Sequence, residues 1–387
     1  MNGEILFLFN HDAPHQVAHI AGIAKAAREL DRTTPITCAC STPAIRARVR
    51  AALGEGVSDQ VEWFDFALPA WREAALAVPN LIAPVRRLRR LDYHAARLNA
   101  AAVVVSAERT CLRARAPRSG TRFVYVPHGA GDRAVAYHPD KGGFDLILVS
   151  GEKTAREMVS RGVAAEERVR VVGYPKFDTI DLSRRERFFA NERPVFVYNP
   201  HFDPFLSSWY SEGPALLDWF ADGDGQAFNL IFAPHIMLFR KKLHISLEYR
   251  TARLRPDIEK RWREAENILI DTGGRRLVDM SYTLGADAYI GDVSSQVYEF
   301  LIRPRPVFFL DTFSHDPTSK EDAYPAWKCG DVATSAEELA RLLPFYAERL
   351  APYRKEQEAV FSDTVSHNPS KTASRRAATE ILKAAAQ

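Results

Sequence analysis

Two serines, two histidines and a few acids stand where short apolar runs of this chain come to an end. The run 288–290 is followed by Gly291-Asp292-Val293-Ser294-Ser295, a helical stretch, a Pro-rich turn and a second apolar run at 307–310. This spacing predicts strand, helix and strand, with Ser294 and Ser295 at the helix start. Unpaired N–H groups and the positive end of the helix dipole attract an anion there. The matching ligand is a phosphate or diphosphate, and hence a nucleotide-linked donor. Ser and Asp are also the ordinary caps of any helix, so the segment by itself admits a purely structural reading.

The run 123–126 leads into Pro127-His128-Gly129-Ala130-Gly131-Asp132-Arg133. A histidine at a strand's carboxyl end titrates near pH ~6.5 and suits a general base, or else it caps a turn. His235 stands in the same relation to the run 230–232, one such histidine in each half of the chain. The segment Gly173-Tyr174-Pro175-Lys176 leaves another apolar run through a glycine. Gly129, Gly173, Tyr174 and Lys176 are candidates for a cleft or hinge. Asn199, in Tyr198-Asn199-Pro200-His201-Phe202-Asp203, is a candidate nucleotide contact through exposed amides.

The elements that must carry these residues alternate. Strands are expected at 5–9, 36–39, 61–64, 102–105, 123–126, 146–149 and 169–172. A second series is expected at 195–198, 230–232, 268–270, 288–290 and 307–310. Helices such as 15–30, 152–161, 275–284 and 336–350 fall between them. Strands that are apolar on both faces signal parallel sheets covered by helices. The expected fold is α/β, with two Rossmann-like domains facing across a cleft. The domains are expected at 1–181 and 194–365, joined by the Arg-rich segment 182–193, with a final helix at 366–387 returning to the first. Ligands of such folds sit at the carboxyl ends of the strands.

Composition sets the outer limits. A length of 387 residues favours two domains, and 46% apolar with 26% charged residues describes a globular protein. A net charge of +3 argues against nucleic acid as a partner. The four cysteines form no CxxC pair, so neither zinc nor a disulfide framework is indicated. The N-terminal apolar run is strand-sized, and no window approaches the ~18 apolar residues of a membrane span. The chain reads as cytoplasmic. Arg86, Arg87, Arg89 and Arg90, interleaved with leucines, are candidates for peripheral contact with an anionic membrane, or else for a solvated helix edge.

The order HGxG, GYPKFD, YNPHFD, PH and GDVSSQVYEF resembles the CDP-glycerol glycerophosphotransferases of teichoic-acid synthesis. Those proteins carry WHG, GYPRxD, YAPTxR, RxHP and SDYSSxxFDF segments in the same order. The tail SKTASRRAA, from Ser370 to Ala378, resembles their final GKASER-type helix. The resemblance implies a GT-B fold, a CDP-glycerol donor and a lipid-linked or saccharide acceptor at the cell envelope. It makes His128 the general base. His235, Ser294 and Ser295 become diphosphate ligands, and Asp292 and Glu299 the acidic positions of the serine motif. Ala233 stands where the family has arginine, Val293 where it has tyrosine, and Glu299 where it has aspartate. No DxD-like carboxylate pair stands where a divalent metal would be expected, so no obligatory metal or other cofactor is expected. A UDP-sugar glycosyltransferase or 2-epimerase is the alternative on the same frame, because Asp271-Thr272-Gly273-Gly274 has the look of an epimerase element. An inactive GT-B scaffold module is the alternative of another class.

Overall fold

The computed structural model describes residues 3–11, 16–129, 134–313 and 324–387. His15, expected to open the first helix, and the stretch 130–133 after Gly129 lie outside the described residues. The chain divides into two compact units. The first takes the chain up to Ala130, Val135–Ile180 and Asp363–Gln387, and the second takes Asp181–Ser362 with a short piece after Ala130.

The first unit is built on seven strands: β1 (Ile5–Phe9), β2 (Ile36–Cys40), β3 (Glu62–Asp65), β4 (Val103–Ser106), β5 (Arg122–Tyr125), β6 (Leu146–Val149) and β7 (Val169–Val171). Their order is β3-β2-β1-β4-β5-β6-β7, and every pairing is parallel. In β1, Ile5, Phe7 and Phe9 enter one core while Leu6 and Leu8 enter the other. That explains why the run is apolar throughout instead of alternating. Each such side chain removed from water is worth ~1.5–3 kcal/mol. The C-terminal helix Ala373–Ala386 belongs to this unit, with Ala377, Ala378 and Ile381 buried among the same residues as the Val17–Leu30 helix.

The second unit contains β8 (Val195–Asn199), β9 (Asn229–Phe232), β10 (Leu243–Ser246), β11 (Thr251–Leu254), β12 (Ile268–Ile270), β13 (Ala288–Gly291), β14 (Val307–Leu310) and β15 (Asp331–Ala333). Its main sheet runs β12-β9-β8-β13-β14-β15, again wholly parallel, while β10 and β11 form a separate antiparallel hairpin. In each main sheet the strand order reverses once, between β1 and β4 and between β8 and β13. These switch points are where open α/β sheets form their ligand crevice.

Two expected helices are interrupted. The stretch 275–284 is a 3₁₀ turn at Arg275–Leu277 and a short helix at Ser281–Gly285, separated by Met280 in the left-handed region at φ 64°. The stretch 336–350 is a helix only to Leu342 and 3₁₀ beyond, because Pro344 lacks the N–H an α-helix would use.

Candidate active site

In the first unit the exits of β1, β4 and β5 converge. His128, just past β5, is exposed, and its Nδ1 lies 3.0 Å from the Ala107 carbonyl oxygen. A carbonyl only accepts, so the proton sits on Nδ1 and the lone pair of Nε2 is left for a substrate. Crowding by protein lowers the pKa of this imidazole, against the upward pull of the Ala107 carbonyl and Glu108. The ring is therefore neutral at pH 7 and competent as a base. Its edge lies 6.4 Å, centroid to centroid, from His19, which meets Tyr174 at 5.3 Å.

Glu108 anchors this cluster. Its carboxylate stands 3.0 Å from Nδ1 of the buried His11 and 2.6 Å from Nη1 of Arg87. Burial, the largest influence, would raise its pKa, but the His11 hydrogen bond and the charges of His11 and Arg87 outweigh it and bring it to about 2. Neither His11 nor Glu108 is conspicuous in the sequence. The signal that marks both is position, since each stands two residues past the end of an apolar strand.

In the second unit, Asn199 is fully buried. Its Nδ2 donates to the Ala233 carbonyl at 2.6 Å and its Oδ1 accepts from Tyr289 at 3.2 Å. The expectation of an exposed nucleotide-contacting amide is thus corrected: Asn199 ties the ends of β8, β9 and β13 together. Asp292 is equally engaged. Its carboxylate accepts from the backbone N–H of His201 at 2.9 Å, and from Ser208 N and Oγ at 2.9 and 3.0 Å. It therefore shapes the loop after β8. Burial drives its pKa up to about 7 despite those donors.

That loop carries His201, which the sequence reading passed over although it lies inside the quoted motif. His201 and His235 are neighbours at 5.3 Å between ring centroids. Nδ1 of each accepts a backbone N–H two residues on, from Asp203 at 3.1 Å and Met237 at 3.2 Å. In the neutral ring the proton then resides on Nε2 of each imidazole, and His201 is buried. Ser294 is buried, and Ser295 is half-buried and caps the five-residue helix Gln296–Phe300 without a side-chain capping bond. Glu299 is buried on that helix, within electrostatic reach of Tyr289.

The remaining candidates have mainly structural surroundings. Gly129 is half-buried beside His128. Gly173 has φ +91°, and a Cβ there would run into the Arg376 guanidinium and lie 2.6 Å from the Ser366 carbonyl oxygen. Asp178 accepts from the Ser374 backbone N–H at 2.6 Å. The GYPKFD and SKTASRR motifs are thus one joint inside the first unit, with Tyr174 and Lys176 buried in it. Asp271 is held by its own turn, accepting from Gly273 and Gly274 N–H at 3.1 and 2.6 Å.

The arginine run also needs correction. Arg90 is 3% exposed and pairs with Glu73 at 2.7 Å, Arg86 reaches the same carboxylate at 3.4 Å, and Arg87 is committed to Glu108. Only Arg89 is largely in solvent, beside Asp92. Glu73, Glu108 and Asp92 hold the four arginines between them, so the segment is not a row of free cations.

Residues 241–383 match the family model described as CDP-glycerol:poly(glycerophosphate) glycerophosphotransferase. Over this stretch the chain is glycerophosphotransferase-like. The match includes Asp292, Ser294, Ser295 and Glu299 and leaves His128 and His235 outside. No curated protein matches in sequence. Among solved structures, the wall teichoic acid polymerase TagF aligns with TM-score 0.59 and 15% identity, covering 100% of this chain and 90% of that one. A TagF variant soaked with CDPG aligns at 0.60 and 15%. A putative UDP-N-acetylglucosamine 2-epimerase from Listeria monocytogenes aligns at 0.59 and 11%, covering 99% and 95% of the two chains. At these identities the structural likeness establishes the fold, which is GT-B.

Proposed function

We propose that this glycerophosphotransferase-like protein moves glycerol phosphate, or a related phosphopolyol, from a CDP-activated donor to a hydroxyl of a lipid-linked or saccharide acceptor. The family match across the serine motif carries this reading. The acceptor hydroxyl attacks the β-phosphorus, the bond from that phosphorus to the bridging oxygen breaks, and CMP leaves. His128 takes the hydroxyl proton on Nε2. His201, His235 and the serine hydroxyls supply donors to the diphosphate as charge passes to the leaving group, so the protein's contribution is positioning and electrostatics. Among the described residues no helix is long and apolar enough to cross a membrane. A lipid-linked acceptor would be met by peripheral contact at the inner membrane face.

Thermal shifts with CDP, CMP, UDP, GDP and CDP-glycerol test the reading. Stabilisation selective for cytidine nucleotides supports it. A uridine preference favours the epimerase or glycosyltransferase alternative, which the fold accommodates equally well. Against that alternative, the Asp271 carboxylate is occupied by its own turn. An absence of any nucleotide response returns the inactive scaffold.

A further inference from the structure

The hairpin β10–β11 stands apart from both parallel sheets. Its register pairs Leu243 with Leu254 and Ile245 with Ala252. With the two-residue period of a strand, these four share one face, while His244 and Ser246 point the other way and are buried. The apolar face is the one in water: Leu243 is 48% exposed, Ile245 63% and Leu254 67%. Leu247, at the hairpin tip, is 88% exposed. Four of the ten large apolar side chains exposed among the described residues therefore crowd into one short hairpin. Concentrated apolar exposure of this kind marks an interaction surface.

Charge identifies what the surface fits. Between Arg240 and Arg255 the sequence holds six Lys or Arg and a single acid, Glu248, although the whole chain is only +3. Lys242 pairs with Asp257, and Arg255 lies over the Phe239 ring. Arg240, Arg250 and Arg253 are exposed, and none of the three has an ion pair among the described residues. Arg250 sits in the hairpin turn with φ 50°, beside the apolar tip. An exposed apolar tip beside cations matches the boundary between anionic headgroups and acyl chains.

We propose that this hairpin seats the protein on an anionic bilayer surface, with Ile245, Leu247 and Leu254 entering the headgroup boundary and Arg240 and Arg250 meeting lipid phosphates. The contact expected of the arginine run 86–90 is thereby placed on another element. The inference rests on the hairpin alone, so it can fail while the transfer reaction stands.

Its test is sedimentation of the full chain with vesicles of phosphatidylcholine, with and without phosphatidylglycerol. The expected result is binding to the anionic vesicles that weakens with salt. The exposed-site double variant Ile245→Ser, Leu247→Ser should lower partition by about tenfold or more at an unchanged melting temperature. Arg250→Glu should lower it by roughly fivefold or more. Failure to sediment with anionic vesicles, equal recovery with both compositions, or undiminished binding of the double variant would each overturn the proposal. Self-association abolished by the double variant, without vesicle binding, would assign the face to a second copy and also overturn it.

Discussion

His11 Nδ1 lies 3.0 Å from Glu108 Oε1, across the point where the first sheet reverses its strand order. The second sheet repeats the relation in another form, with the His201 N–H donating to Asp292 across β8 and β13. In both, the histidine follows the first strand of the unit and the acid follows the strand beside it. The surroundings make the acids opposites. Glu108 faces the Arg87 guanidinium and the His11 ring and stays ionised, whereas Asp292 faces only amides and a hydroxyl, and burial raises its pKa.

Replacing His128 by alanine should reduce turnover roughly a thousandfold while leaving nucleotide-induced thermal stabilisation intact. Its lowered pKa means the neutral base persists below the ordinary histidine range. The acidic limb of kcat/KM should therefore fall below pH ~6.5 in the wild type. A variant that keeps most of its activity would remove His128 from the chemistry.

Glu108→Gln removes the anion shared by His11 and Arg87. Because the folded-state pKa is depressed, the contribution is present above the unfolded value of ~4.3 and is lost as pH falls toward about 2. Urea titrations should show a loss of about 3 kcal/mol at pH 7, shrinking as the pH is lowered from 5 to 3. A loss independent of pH would mean that packing, not charge, is responsible.

Asp292 carries the opposite sign. Its raised pKa means the folded state holds an extra proton between pH ~4 and about 7, so this group's contribution declines as pH rises through that window. Asp292→Asn abolishes that dependence but turns an N–H donor toward the N–H groups of His201 or Ser208. It should cost about 1–3 kcal/mol and weaken nucleotide stabilisation by displacing the His201 loop. Denaturation and nucleotide thermal shifts, each at pH 5 and 8, check both parts.

Gly173→Ala should destabilise the first unit by roughly 2–4 kcal/mol, from left-handed strain plus collision with Arg376 and Ser366. Chemical denaturation measures the loss, and limited proteolysis should release the C-terminal helix first. Resistance of that helix would show that the joint is not what holds it.

Much of the framework was legible because the main strands are short, apolar and buried on both faces. The runs at 146–149, 268–270 and 307–310 coincide with strands. The hairpin β10–β11 was not legible, since its apolar residues alternate with polar ones and face outward. Nor was β15, three residues long with an exposed centre. His128 and His235 were visible from their places after apolar runs. Asn199 was visible too, but its burial was not, because the groups that consume its amide come from β9 and β13. The arginine run read as a cationic face because Glu73 and Glu108 are remote in sequence.

By itself, then, the sequence determined the alternation of strand and helix, the two series of parallel strands and the glycerophosphotransferase motifs. The motifs are a resemblance to that family, and all of these are properties of contiguous residues. Only the tertiary structure decided which polar groups meet. Glu108 reaches His11 because β4 lies beside β1, and Asp292 reaches the His201 loop because β13 lies beside β8. Parallel crossovers bring together residues roughly a hundred positions apart, and no local pattern records such a pairing.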